Sequence, residues 1–66
     1  MTITLNGSAH VLPGPATILD LLASLGFAGR PVVVEWNHQA LLPREHASTV
    51  LKDDDVVEVV QITAGG

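Results

Sequence analysis

The chain has 66 residues, a net charge of −4 and no cysteine. That length allows one domain, burying about 60% of its unfolded surface, with no disulfide to staple it. Three Lys and Arg in total cannot build a basic face, which argues against a phosphate-tracking nucleic-acid binder. An acidic small protein instead suits a partner with a basic docking surface.

Residues 1–12 are expected to form a hairpin. Ile3 and Leu5 alternate with Thr2 and Thr4, a period of two. Asn6-Gly7 is a strong two-residue turn signal because both tolerate positive φ, and Ala9 to Leu12 would return. Met1-Thr2-Ile3-Thr4 has neither a basic nor an apolar leader pattern. No apolar run nears the roughly 18 residues of a membrane span. A cytoplasmic chain is therefore expected.

Pro13-Gly14-Pro15 ends the hairpin and a short helix follows. Thr17 is an N-cap, with Asp20 three residues on completing a capping box. Ile18, Leu21, Leu22 and Leu25 form one apolar stripe. Gly26 falls where a left-handed C′ residue belongs, with Phe27 folding back on the last turn. So short a helix needs a sheet beneath it.

Pro31 to Asn37 reads as a strand, with Val32, Val34 and Trp36 on one face and Val33 and Glu35 on the other. Ala40 to Leu42 is a short strand closed by Pro43, and Arg44-Glu45-His46 is a single turn. Lys52-Asp53-Asp54-Asp55 is a polar turn, read as solvated. Val56 to Ile62 is the last strand, and its near-continuous apolar run places it centrally. The order is β-β-α-β-β-β: an α+β domain with a mixed sheet of four to five strands and one helix across one face.

Period two in the last strand puts Val57 and Val59 inside and Glu58 towards water. Val60 and Ile62 are left partly exposed, as candidates for partner docking. The domain is expected over residues 1–62, followed by a mobile tail of Thr63, Ala64, Gly65 and Gly66. Four extended residues reach about 13 Å, enough to enter another protein's active site while the domain stays outside.

In this order and spacing, the residues resemble the ubiquitin-like β-grasp proteins, and within them the ThiS family of thiamine-biosynthesis sulfur carriers. The resemblance covers essentially the whole chain. It rests on Asn6-Gly7, Thr17-x-x-Asp20-Leu21-Leu22, Asn37, Leu42-Pro43-Arg44-Glu45, the acidic turn at Asp53 to Asp55, and the ending Gln61-Ile62-Thr63-Ala64-Gly65-Gly66. Asp54 stands where family members often carry Gly, and Trp36 is bulkier than the usual aliphatic residue.

The resemblance implies a protein co-substrate, not an enzyme, with Gly66 as its reacting residue and Ala64 and Gly65 as the approach. A ThiF-type, E1-like enzyme would spend ATP on adenylating the Gly66 carboxylate. A cysteine desulfurase relay would then supply sulfur for a thiocarboxylate, and a ThiG-type thiazole synthase would take that sulfur. No bound cofactor is implied. Two other functions fit the same pattern: the small subunit of molybdopterin synthase, and a ubiquitin-like modifier or plain binding module.

No other constellation carries chemistry. His10, His38 and His46 lack zinc spacing, and neither His38 nor His46 has a readable nucleophile or orienting partner. Asp53 to Asp55 lack the spaced ligands of a calcium loop. Arg44 and Glu45 are expected to tie down a turn, and Trp36 to pack in the core.

Overall fold

The computed structural model describes residues 1–63. Its strands are β1 (Thr2–Leu5), β2 (Ser8–Val11), β3 (Val32–Trp36), β4 (Gln39–Leu41) and β5 (Val56–Gln61), with helix α1 (Ile18–Ser24) between β2 and β3. They form one mixed five-stranded sheet in the order β2-β1-β5-β3-β4. β5 is central, as its apolar run implied. It pairs parallel with β1 (Leu5 with Val57) and antiparallel with β3 (Val34 with Val59). Among the described residues, no helix is long and apolar enough to cross a membrane.

The first turn forms as its residues dictate, with Asn6 at φ 49° and Gly7 at φ 84°. The return strand starts one residue earlier than expected, at Ser8, because a two-residue turn pairs Leu5 directly with Ser8. Asn6 also extends the parallel ladder beyond β1. Its side-chain oxygen accepts from the Val59 N–H at 2.8 Å, and its amide donates to the Val59 carbonyl at 3.3 Å.

The second hairpin uses the same device. Asn37 and His38 have φ of 49° and 67° and join β3 to β4, so β4 begins at Gln39 rather than Ala40. Pro43–Glu45 forms the single turn, of 3₁₀ type. Glu45 fastens it by accepting from the Leu42 N–H at 2.7 Å.

Helix α1 starts at the expected capping box. The Thr17 N–H donates to Asp20 Oδ2 at 2.9 Å, and the Asp20 N–H donates to Thr17 Oγ1 at 3.1 Å. It stops at Gly26, φ 82°. There the Phe27 N–H donates to the Leu22 carbonyl at 2.8 Å and the Gly26 N–H to that of Ala23 at 3.1 Å, the paired bonds of a Schellman end.

The helix lays Ile18, Leu21 and Leu22 onto Ile3, Val34, Val57 and Val59. Leu12 and Leu51 complete this core; Leu12 ends the expected return strand without an alternating pattern to mark it as buried, and Leu51 stands in no expected element. Leu21 is fully buried. Leu21→Ala is expected to cost about 2–5 kcal/mol and to lower the melting temperature by about 10–30 °C. Thermal unfolding followed by circular dichroism checks this, and a loss below about 1 kcal/mol would mean the helix is not seated on the sheet.

Candidate functional site

Among the described residues, one face of the sheet is covered by α1 and the other is bare. The register assigns the bare face residue by residue. β5 presents Val56, Glu58 and Val60, and β3 presents Val33 and Glu35 opposite them. The remaining strands add Thr2, Thr4, Ala9, Val11 and Ala40. Val33 and Val60 are directly paired and are 46% and 59% exposed.

The inside-outside split read from period two holds: Val57 and Val59 are buried and Glu58 is exposed. Ile62, two residues beyond Val60, is 52% exposed. Its N–H donates to the Pro31 carbonyl at 3.0 Å, so the chain leaves the sheet still held against β3. Ala64, Gly65 and Gly66, the residues expected to carry the chemistry, lie outside the described residues.

The acidic turn is less solvated than its composition implied. Asp54 occupies the left-handed region at φ 71°, which Asp tolerates better than most residues. Asp53 accepts from the Thr2 N–H at 2.8 Å. Asp55 is buried and organises the β3–β4 end of the sheet. Its Oδ2 accepts from Trp36 Nε1 and from the Lys52 N–H, both at 2.9 Å. Its Oδ1 accepts from Asn37 Nδ2 at 3.1 Å.

Burial alone would push the Asp55 carboxyl up. The hydrogen bonds from Trp36, Asn37 and the Lys52 backbone, with the Lys52 charge, overcome it and hold the group below its ordinary value. Trp36 packs against the core as expected, but its indole nitrogen faces this carboxylate. The pairing joins residues 19 apart, and no local pattern announces it.

His46 is buried, and its Nε2 has no hydrogen-bond partner. Its carbonyl accepts from the Leu19 N–H at 3.0 Å, helping to satisfy the start of α1. The groove beside it is lined mainly by apolar residues such as Leu19, Leu22, Phe27 and Pro43, with Arg30 as its one other charged or titratable side chain, and none of these could act with His46 as base or nucleophile. Among the described residues no three His, Cys, Asp or Glu side chains gather as metal ligands.

A five-stranded mixed sheet gripping one helix, with its last strand at the centre, defines a ubiquitin-like β-grasp domain. The ThiS family model matches residues 3–66, and the chain belongs to that family, the sulfur carriers of thiamine biosynthesis. Sulfur carrier protein ThiS of Thermus thermophilus is 38% identical over 64 residues, covering 97% of this chain and 98% of its own length. A thiazole synthase of Magnetococcus marinus is 39% identical over 66 residues, and the chain spans 20% of that protein's length. The crystal structure of the thiamine biosynthesis protein ThiS from Geobacter metallireducens superposes with a TM-score of 0.85 at 32% identity, each chain covered in full.

Proposed function

We propose that the chain carries sulfur as a thiocarboxylate on Gly66 and delivers it to thiazole formation. The observation that supports this most is that the family match runs through residue 66, so Gly65-Gly66 belong to the shared pattern rather than trailing it. A terminal carboxylate with a pKa near 3.5 is ionised at neutral pH and is a poor electrophile, so it needs activation. ATP held by a ThiF-type enzyme converts it to the acyl-adenylate and releases pyrophosphate. A persulfide from the cysteine desulfurase relay displaces AMP, and a thiol then cleaves the S–S bond to leave the thiocarboxylate. The carrier has no thiol of its own, so sulfur rides on its C-terminal carbonyl.

The division of labour follows. The partners supply cofactor and catalysis, and the carrier supplies an address and a reach, with Val60 and Ile62 at the root of the tail as docking residues. Thiazole synthase is the acceptor, a reading supported by the thiazole synthase relative with a region similar to this whole chain. The reaction sequence belongs to the cytoplasm, where ATP and desulfurase are found.

Intact mass after incubation with a ThiF-type enzyme, ATP and a cysteine desulfurase system tests the reading. The expected result is a gain equal to replacing one oxygen by sulfur, lost again on adding thiazole synthase and its substrates. No gain, or sulfur passed only to the large subunit of molybdopterin synthase, would overturn it.

A further inference from the structure

The bare face carries two charges, and they repel. Glu35 and Glu58 are paired directly across β3 and β5, and both are exposed. Residues opposite one another in an antiparallel pair hold their Cβ atoms about 4.5–5.5 Å apart, and like charges there are destabilising. The neighbouring positions offer no relief. Beside them on this face the strand registers place Thr, Ala and Val, with Asn6 following Thr4 to stand next to Glu58, its side chain already engaged by the Val59 backbone; none of these strand residues is Lys, Arg or His. A sheet selected for stability alone has no use for this pair.

The pair also lies in line with exposed apolar residues. Val33 and Val60 are the next register pair on this face towards Ile62 and Thr63. The three residues from Thr63 to Gly66 span about 10 Å at most. An enzyme that closes on Gly66 must therefore sit against this end of the domain.

Taking the carrier reading above as its basis, we infer that the Glu35–Glu58 pair is a charge address. It receives an arginine or lysine side chain from the adenylating enzyme, seated beside the Val33–Val60 apolar pair. One cation between two carboxylates turns the repulsion into two attractions. The mismatch in the free carrier is resolved only in the complex, which favours binding and rejects acidic surfaces.

The test uses the full chain and a ThiF-type enzyme, with KM for the carrier measured by pyrophosphate exchange. Glu35→Gln with Glu58→Gln is expected to raise KM about tenfold or more and to leave kcat unchanged. The double variant should also lose most of the wild-type salt dependence, and it should melt no lower than wild type, because a repulsion has been removed. Asp54→Asn, which removes a charge at the opposite end of β5 from Thr63, should leave KM unaltered. An unchanged KM in the double variant, or an equal rise with Asp54→Asn, would overturn the address. Failure of the wild-type chain to be adenylated at all would instead overturn the carrier reading beneath it.

Discussion

A chain lacking Gly66 is expected to gain no sulfur with the activating enzyme, ATP and desulfurase, yet to melt at the same temperature as the full chain. The loss should be complete, because the reaction needs a carboxylate at one point in space. Truncation draws that carboxylate back by about 3.3–3.6 Å, and misplacement by about 1 Å can already cost a hundredfold in rate. Stability should not follow activity. All of the hydrogen bonds and core contacts described above lie within residues 1–63. Intact mass and a melting curve on the same sample separate the two effects. Sulfur gained by the shortened chain would move the reacting group away from Gly66.

The second large effect belongs to Asp55. Asp55→Ala strands three donors at once: the indole of Trp36, the amide of Asn37 and the backbone N–H of Lys52. Each unpaired donor costs about 1–3 kcal/mol where water cannot replace the carboxylate, so a loss of about 3–5 kcal/mol is expected. A domain of this size has only about 3–10 kcal/mol in total. The variant should therefore be largely unfolded or close to it.

The same carboxylate sets an acid limit. Its folded pKa lies below the ordinary value of 3.8, so the unfolded chain takes up the proton more readily. The contribution is fully present above that value and is lost as pH falls through the folded pKa. Urea midpoints measured from neutral pH downwards should hold steady to about pH 4 and then fall. In Asp55→Asn the midpoint should start lower and fall less over that acid range. An equal acid slope in both proteins would remove Asp55 from this role.

These two cases mark what the sequence makes legible. Local chemistry was readable: Asn6-Gly7 turned, Thr17 and Asp20 capped each other, and Gly26 took the left-handed end of α1. Period two separated Val57 and Val59 from Glu58, because one helix can cover only one face. Asp55 was not readable. Three consecutive aspartates look alike in a string, and only tertiary packing sets one beside Trp36 and Asn37. The Asn37-His38 turn was half visible: Asn37 marked a strand end, but His38 at positive φ is unusual enough to escape a pattern. Gly66 is the reverse case: it is conspicuous in the sequence, and it lies outside the described residues.

The central position of β5 has a kinetic side. Each hairpin, β1–β2 and β3–β4, closes over a two-residue turn, an event of about 1–10 μs. Within the sheet the two are joined through β5, whose partners in β1 lie about fifty positions earlier in the chain. Bringing that segment home closes the longest strand-to-strand loop in the sheet, so it is expected to be the slow step of folding. β3–β5 pairing also brings Glu35 opposite Glu58, so a chain holding only its two hairpins lacks this paired surface. The proposed address is therefore complete only in a chain whose last strand is in place, and an unfolded carrier is expected to be a poor substrate for an activating enzyme.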